Sequence, residues 1–317
     1  MKKSDLILNV VIPCYNEEEA LESTYKVLNK KMNSLIKENL ISKKSKVVLV
    51  NDGSKDNTWN VIKKLHEENN MYVGVNLSRN KGHQNALLAG LMYAKDNCDI
   101  SISMDADLQD DINVMDDMIK KYNEGSEIVY GVRNSRKKDS FFKRFTAEGF
   151  YKFMNIMGVE VVFNHADCRL MSKRALQELS NYKEVNLFLR GIIPQLGFKT
   201  SISYYERNKR VAGESKYPLK KMLMFAMDGI TSFSIKPLRM IAFIGFIILI
   251  CSIIAFIYSI VMKLLGNTVV GWTFIVCSIW LIGGIQMLSL GIIGEYIGKI
   301  YNETKKRPRY IIESILD

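Results

Sequence analysis

Short apolar runs rich in β-branched residues alternate with longer amphipathic stretches over the first 130 residues of the chain. An apolar run of this kind is typical of a buried strand, and apolar residues three or four positions apart are typical of a helix. The alternation predicts an α/β domain built on a parallel sheet. Strands are predicted at residues 6–12, 46–50, 72–77, 100–104 and 127–130. Helices are predicted at residues 17–39, 56–69, 84–95 and 113–122.

The pattern becomes less regular between residues 134 and 205. A basic loop leads into a predicted helix at 141–157, followed by shorter segments around Asp167, at 172–179 and at 187–196. We assign this region to the same globular unit, so that residues 1–205 form one domain. In such domains ligands bind at the carboxyl ends of the strands.

Two long apolar segments follow. Residues 241–262 and 269–294 contain no charged side chain, and each is long enough to cross the ~30 Å hydrocarbon core as a helix. The linker at 206–239 holds eight Lys or Arg and the tail at 299–317 holds five, whereas the connecting turn holds one. The positive-inside rule therefore predicts a membrane hairpin with both ends cytoplasmic. A buried core hairpin is the disfavoured alternative.

This interpretation divides the chain into four parts. They are the domain at 1–205, a basic linker with interfacial helices at 206–239, two transmembrane helices at 240–295 and a cytoplasmic tail at 296–317. It predicts a multi-pass protein of the cell membrane with a cytoplasmic domain.

Composition narrows the function further. The net charge is +11, but the basic residues cluster beside the apolar segments, where anionic membrane lipid is a nearer partner than nucleic acid. The five cysteines form no CxxC pair, which favours a reducing compartment and gives no zinc cluster. No GxGxxG follows the first strand, which argues against a nicotinamide oxidoreductase.

Two aspartates stand at the end of the fourth predicted strand. Asp105 and Asp107 in MDADLQD (104–110) are two positions apart. Their carboxylates can converge on one hard divalent cation, which takes oxygen ligands and leaves room for substrate phosphates. Aspartate is also common in turns and at helix starts, so the pair alone carries little weight.

Three further turns are predicted at the same edge. They lie in VIPCYNEE (11–18), VNDGSKDNT (50–58) and SRNKGHQNALLAGL (78–91). Asp52, on a tight turn before a glycine, can accept hydrogen bonds from a nucleoside, although an ordinary strand-to-helix connection is equally compatible. Lys81, before a helix N-terminus, suits a pyrophosphate contact and equally a solvated surface charge.

Together these four turns resemble the pattern of glycosyltransferase family 2, whose GT-A (Rossmann-like) fold binds nucleotide sugars and carries an acidic DxD metal site. The resemblance covers nearly the whole chain. The apolar C-terminal pair is similar to that of the polyprenyl-phosphate glycosyltransferases, which include dolichol-phosphate mannose synthase and bacterial undecaprenyl-phosphate enzymes.

The resemblance implies a donor site and a metal site. The implied nucleotide-sugar contacts are Pro13, Tyr15, Glu17, Asp52 and Lys81. Asp105 and Asp107, with Gln109 as a further ligand, would hold Mg²⁺ or Mn²⁺ on the donor diphosphate. The cation would neutralise the charge that develops on the leaving group.

On the acceptor side, GVRNSR (131–136) and the basic stretch 206–222 match the family. The implied lipid-phosphate contacts are Arg133, Arg210, Ser215 and Lys216. Asp167 in NHADCRL (164–170) matches the position of a candidate base or acceptor-orienting carboxylate, with a structural ion pair to Arg169 as the alternative. A phosphate acceptor is already ionised, so the need for a strong base is weak. His83 and His165 are assigned to a helix start and a loop rather than to catalysis.

The implied activity is transfer of one sugar, with inversion, from UDP-glucose or UDP-N-acetylglucosamine to undecaprenyl phosphate on the cytoplasmic leaflet. A processive polysaccharide synthase is disfavoured, because QxxRW is absent and two spans are too few to line a channel. A non-catalytic membrane subunit that retains nucleotide binding is the remaining alternative. Whether the helices assemble into a homo-oligomer stays open.

Overall fold

The computed structural model describes residues 5–107, 109–133, 165–206, 230–231, 234–265 and 271–317. The predicted helix at 141–157 and the implied acceptor contacts Arg210, Ser215 and Lys216 lie outside these ranges. The described chain forms two compact units. One contains the residues up to 206 and again those from 307, and the other contains residues 230–306.

The first unit is an α/β domain with helices on both faces of one sheet. Its strands are β1 (Leu8–Cys14), β2 (Lys46–Asn51), β3 (Tyr72–Leu77), β4 (Ile100–Ser103), β5 (Ile128–Arg133), β6 (His165–Ser172), β7 (Thr200–Tyr205) and β8 (Ile312–Leu316). Its helices are α1 (Glu18–Lys37), α2 (Thr58–Glu68), α3 (His83–Asn97), α4 (Val114–Asn123), α5 (Lys173–Leu179) and α6 (Leu189–Gln195). All nine elements predicted before residue 131 are present, with ends that differ by at most three residues.

The eight strands lie in the order β7-β5-β6-β4-β1-β2-β3-β8. Strands β1 to β4 are mutually parallel, but β6 runs antiparallel to β4 and β5, and β8 runs antiparallel to β3. The five strands predicted before residue 131, β1 to β5, are therefore parallel to one another, as expected, whereas β6 and β8 were not predicted as strands. The sequence of β6 does not read as a buried strand, because an aspartate and a buried arginine interrupt its apolar residues.

Close packing of α3 on the sheet fixes the position of that helix. Successive strand residues point to opposite faces, and Val11 of β1 and Val50 of β2 face α3. A Cβ atom at Gly90 would lie 2.4 Å from Val11 Cγ1 and 2.7 Å from Val50 Cγ2. Only glycine allows α3 to approach the sheet this closely. The close approach determines the position of His83, the first residue of α3, relative to the ends of the strands.

The second unit contains two long helices, α7 (Lys236–Leu264) and α8 (Trp272–Thr304). Residues 236–262 and 281–304 are long and apolar enough to cross a membrane, and none of the described residues in their most apolar windows is buried. Phe243 and Leu281, for example, are 64% and 65% exposed. Such exposure does not fit the alternative of a buried core hairpin and suits helices surrounded by lipid.

The C-terminal residues return to the first unit as a strand. They were predicted as a tail, but β8 pairs with the edge strand β3, with Asn76 opposite Ser314. The pairing is continued by a 3.0 Å hydrogen bond from Ser78 N to Ile311 O. The last strand therefore covers a sheet edge that would otherwise expose unpaired backbone groups.

Candidate active site

The switch point of the sheet lies between β1 and β4. The chain passes from β1 to β2 and β3 on one side and then to β4 on the other side. In open α/β sheets, ligands bind beyond the carboxyl ends of the strands at this point. The turns after β1, β2, β3 and β4, which carry the residues selected from the sequence, open on this edge.

Strand β6 brings a second carboxylate to the edge from the opposite direction. Ser103 pairs with Arg169, so continuing this antiparallel register by two residues places Asp105 opposite Asp167. The hydroxyl of Ser103 also donates a 2.5 Å hydrogen bond to the backbone oxygen of Asp167. Asp105 and Asp167 therefore lie close together although they are 62 positions apart in the sequence.

His83 lies between these two carboxylates. Its Nε2 is 3.4 Å from Asp167 Oδ2 and 3.7 Å from Asp105 Oδ1. It is the first residue of α3, after Gly82 with φ +85°, so the prediction of a helix-start histidine is correct in position. The sequence did not place it beside acidic side chains, but its ring faces Asp105 and Asp167. The sequence shows that His83 begins a helix, but its contact with Asp167 arises only because β6 brings Asp167 to this edge of the sheet.

Arg190 of α6 holds Asp167 with two hydrogen bonds. Its Nε lies 3.1 Å from Oδ1 and its Nη2 3.1 Å from Oδ2. Asp167 thus has an ion pair, but the partner is not Arg169, which is 1% exposed and lies with Cζ 5.5 Å from the centre of the Tyr130 ring. Sequence reasoning missed Arg190 because it lies in an apolar helical segment without a recognisable motif.

The electrostatics of the cluster distinguish the two aspartates. Burial and the neighbouring charge of Asp167 raise the pKa of Asp105 to about 6. At Asp167, burial is outweighed by the charge of Arg190 and by hydrogen bonds from His83 and Arg190, so its pKa lies well below the usual range. Burial lowers the pKa of His83, but the hydrogen bond to Asp167 and both carboxylate charges outweigh burial and raise it. Asp167 is therefore ionised, whereas the charged form of Asp105 is disfavoured despite the nearby imidazole of His83.

The cluster has the chemistry of a divalent-cation site. One ligand atom each from His83, Asp105 and Asp167 lies within 4.8 Å of the others. Carboxylate oxygens suit Mg²⁺ and Mn²⁺, while an imidazole nitrogen is a transition-metal ligand. A bound cation would also favour the charged form of Asp105, which burial and Asp167 disfavour. These residues therefore fit a divalent ion.

Asp107 and Gln109 lie in the turn that follows Asp105. Asp107 Oδ1 accepts a 3.2 Å hydrogen bond from the backbone N of Gln109, and Gln109 is buried. A 2.7 Å hydrogen bond from Thr24 Oγ1 to Ala106 O ties the turn to α1. The structure thus brings Asp105 together with two residues that were not predicted as ligands, while Asp107 and Gln109 shape the turn beside them.

Asp52 links the turns after β2 and β3. Its two oxygens accept hydrogen bonds from the backbone N of Lys81 at 2.7 Å and of Gly82 at 2.9 Å. Burial raises its pKa, and these two hydrogen bonds oppose the shift. Gly53, with φ +60°, lets the chain pass close to the backbone of Arg79. Asp52 therefore positions the turn that precedes His83.

The turn after β1 lies beside the same loops. Pro13 is buried within β1, whereas Tyr15 is 39% exposed. The backbone N of Glu17 donates a 2.9 Å hydrogen bond to Thr58 Oγ1 at the start of α2. The turn after β1 is therefore tied to the start of α2. On the acceptor side, the structure places Arg133 as the last residue of β5 and His165 as the first of β6.

A family model described as Glycosyl transferase family 2 matches residues 9–180. This range contains His83, Asp105 and Asp167. More than half of the chain is therefore covered, including every strand from β1 to β6.

Relatives match almost the entire chain. An uncharacterized glycosyltransferase of Bacillus subtilis is 53% identical over 313 residues, which are 99% of this chain and 93% of the relative. A prophage bactoprenol glucosyl transferase homolog of Escherichia coli is 40% identical, and a bactoprenol glucosyl transferase of Shigella phage SfX is 39% identical. Both alignments cover 97% of this chain and 99% of the relative.

Proposed function

Since the chain belongs to glycosyltransferase family 2, we propose that it transfers a single sugar from a nucleotide-diphosphate sugar to a polyprenyl phosphate at a membrane surface. The observation that carries this proposal is the cluster of His83, Asp105 and Asp167 at the switch point of a domain whose chain continues into two apolar helices. The names of the bactoprenol glucosyl transferase relatives support the same acceptor class.

The reaction forms one bond and breaks one. An oxygen of the lipid phosphate attacks the anomeric carbon, and the bond between that carbon and the donor diphosphate breaks, so that the nucleoside diphosphate leaves with the electron pair. One such displacement inverts the anomeric centre. The attacking phosphate oxygen is already ionised, so no side chain has to remove a proton.

Asp167 acts in this step as a fixed anion rather than as a strong base. Its low pKa keeps it ionised, and the two hydrogen bonds from Arg190 fix its direction. A carboxylate held in this way can orient His83 and stabilise positive charge near the anomeric carbon. Of the two roles that the resemblance implies for Asp167, a base or an orienting carboxylate, we propose the orienting one.

The donor diphosphate is assigned to the side of Asp105. Asp105 and Asp107 remain the proposed cation ligands, with His83 and Asp167 close enough to contribute. A bound Mn²⁺ or Mg²⁺ would neutralise charge on the leaving diphosphate. The proposed nucleoside contacts are Pro13, Tyr15, Glu17, Asp52 and Lys81, and Gln109 is the proposed further ligand of the ion. UDP-glucose is favoured as donor over UDP-N-acetylglucosamine, because the relatives carry glucosyl transferase names.

The connectivity supports a membrane hairpin. The first unit contains both residue 206 and residue 307, and β8 is a strand of its sheet. The chain between them must therefore start and finish on one side of the membrane, which requires an even number of crossings. The two candidate spans among the described residues satisfy this requirement, and by the positive-inside rule the basic flanks favour the cytoplasm as that side. Arg133, Arg210, Ser215 and Lys216 remain the proposed contacts of the lipid phosphate.

The experiment uses purified full-length protein with undecaprenyl phosphate, Mn²⁺ or Mg²⁺, and a panel of donors labelled in the sugar. We expect label from one donor to enter a chloroform-soluble product that mild acid cleaves. Undecaprenol, which lacks the phosphate, is the matched control acceptor and should take up no label. Nucleotide binding without transfer from any donor would contradict the proposal and favour a non-catalytic subunit.

A further inference from the structure

The C-terminal strand reaches the donor edge of the sheet through a chain of side-chain hydrogen bonds. We propose that Glu313 of β8 is a positioning residue for the donor-binding loops, acting through Asn76 and Asn51. This inference rests on the proposed function, because it takes the loops after β1 and β2 to hold the nucleoside of the donor.

The strand is anchored at both ends within the first unit. Before β8, the guanidinium of Arg309 donates a hydrogen bond to the backbone oxygen of Tyr182. After it, Asp317 interacts with the hydroxyl of Tyr93 on α3 and lies 3.9 Å from the ammonium of Lys46. These contacts hold Glu313 in a fixed place beside β3.

The hydrogen bonds run from β8 across β3 to β2. Asn76 Nδ2 donates to Glu313 Oε2 at 2.8 Å, and Asn51 Nδ2 donates to Asn76 Oδ1 at 2.7 Å. Asn51 Oδ1 then accepts from the backbone N of Ser54 at 3.2 Å. Asn51 and Asn76 are 3% and 8% exposed, so water has little access to these amides.

The chain of bonds continues into the turn after β1. Ser54 Oγ accepts a 3.0 Å hydrogen bond from the backbone N of Asn16, and Asn16 Oδ1 accepts one of 2.9 Å from the backbone N of Lys55. Asn16 has φ +54°, a conformation that L residues adopt rarely and that surrounding bonds must hold. It stands between Tyr15 and Glu17, which are both proposed donor contacts.

Glu313 fixes, from one end, the donor-to-acceptor direction of this series of hydrogen bonds. An ionised carboxylate can only accept hydrogen bonds, so Asn76 must turn its NH₂ group toward Glu313 and its oxygen toward Asn51. Asn51 must then present its NH₂ group to Asn76 and its oxygen to Ser54 N, which can only donate. An acceptor at one end and a donor at the other leave a single arrangement of both amides. Without Glu313 only the hydrogen bond from Ser54 N favours this arrangement, so the flipped amides cost less free energy and are populated more often, and a flipped Asn51 no longer holds the turn at Ser54.

The test compares three substitutions of Glu313 in the full-length protein. Glu313→Gln keeps an oxygen acceptor, Glu313→Ala removes it, and Glu313→Lys replaces it with a donor that reverses the required direction. Ser314→Ala is the matched control, because Ser314 is the neighbour of Glu313 on β8 but takes no part in this series of hydrogen bonds. Two quantities are measured: the dissociation constant of UDP in the presence of Mn²⁺, and hydrogen exchange of peptides covering residues 14–18 and 51–56.

We expect Glu313→Ala to weaken UDP binding about three- to tenfold, the size expected for one hydrogen bond, and to speed exchange in both peptides. Glu313→Lys should have at least this effect, while Glu313→Gln and Ser314→Ala stay within about twofold of the wild type. In a transfer assay, Glu313→Ala should raise the KM for the donor and leave kcat and the KM for the lipid phosphate within about twofold. A loss of folded protein would instead lower kcat without changing the donor KM.

Unchanged UDP affinity and exchange in Glu313→Ala would overturn the proposal, as would an equal effect of Ser314→Ala. Faster exchange with unchanged UDP affinity would also overturn it, because the loops would then not hold the nucleotide. Failure of the proposed function is a different result: the wild type would bind UDP, and Glu313→Ala would weaken that binding, but no sugar would reach the lipid. Absence of binding to both UDP and GDP in the wild type would overturn both.

Discussion

Arg190 and Asp167 form a two-point ion pair, with Nε donating to Oδ1 and Nη2 donating to Oδ2 at 3.1 Å each. The pair fixes both the charge and the direction of the carboxylate that faces His83. Planar guanidinium groups match carboxylates in this geometry, and an ammonium does not. Arg190 therefore controls the shape of the site without having to touch either substrate.

Replacing Arg190 by lysine should lower kcat about tenfold to a hundredfold while the protein stays folded. Lysine keeps the positive charge but can hold only one oxygen of Asp167, so the carboxylate turns away from His83. The measurement is kcat together with the thermal unfolding temperature. Arg174→Lys is the matched control, since Arg174 is largely exposed and meets Glu127 at 3.5 Å. Equal kcat values for both variants would contradict the role of Arg190.

Asp105→Asn should remove activity and the response of stability to Mn²⁺. In the wild type, burial and Asp167 disfavour the charged form of Asp105, so a bound cation should raise the unfolding temperature. Without the cation, the neutral asparagine should match or exceed the wild type in stability, because it relieves that charge. Thermal unfolding with Mn²⁺ and with a chelator measures both effects. Asp96→Asn, at a carboxylate that is 73% exposed, should keep the Mn²⁺ response, and retention of that response in Asp105→Asn would argue against this site.

His83→Asn should lower kcat at least about tenfold and weaken Mn²⁺ binding. The ring nitrogen lies within 3.7 Å of both carboxylates, a distance that the shorter asparagine does not reproduce. His66→Asn provides the control. His66 lies on α2, where its Nδ1 is 2.7 Å from the backbone oxygen of Tyr72 rather than near the acidic pair. If both histidine variants kept wild-type kcat and Mn²⁺ affinity, His83 would be only a helix-start residue.

The buried thiols should resist alkylation in the folded protein. Burial, with a smaller contribution from Asp99, raises the pKa of Cys98 to about 12, and burial also raises the pKa of Cys14. Because the thiolate is the reactive form, iodoacetamide at pH 8 should leave both peptides unlabelled until the protein is denatured. Peptide mass spectrometry measures the labelling. Rapid modification of either thiol in the native protein would show that β1 or the end of α3 is not packed as described.

The local pattern predicts the first nine elements because each one carries its own periodicity and turn residues. The candidate site depends on something else. Asp167 meets Asp105 only because β6 enters the sheet antiparallel beside β4, and pairing between distant strands leaves no local periodicity that a sequence could reveal. His83 and Arg190 were missed for the same reason, since both acquire their role from contact with Asp167.

The C-terminal strand shows a second limit of the sequence. Strand β8 has only five residues, IESIL, and so short a run of apolar and polar residues does not distinguish a strand from a tail. These residues pair with the otherwise free edge of β3, and Glu313 accepts a hydrogen bond from the side chain of Asn76. Neither feature is visible until the fold is assembled.

The most direct test of the account measures sugar transfer to undecaprenyl phosphate by the wild type and by Asp105→Asn at equal amounts of folded protein. We predict that the wild type forms a lipid-linked, mild-acid-labile sugar and releases one nucleoside diphosphate per product. Asp105→Asn should form at least about a thousandfold less. Full turnover by Asp105→Asn would contradict the proposed role of Asp105. The absence of any lipid-linked product from the wild type with every donor would contradict sugar transfer to a polyprenyl phosphate as the function.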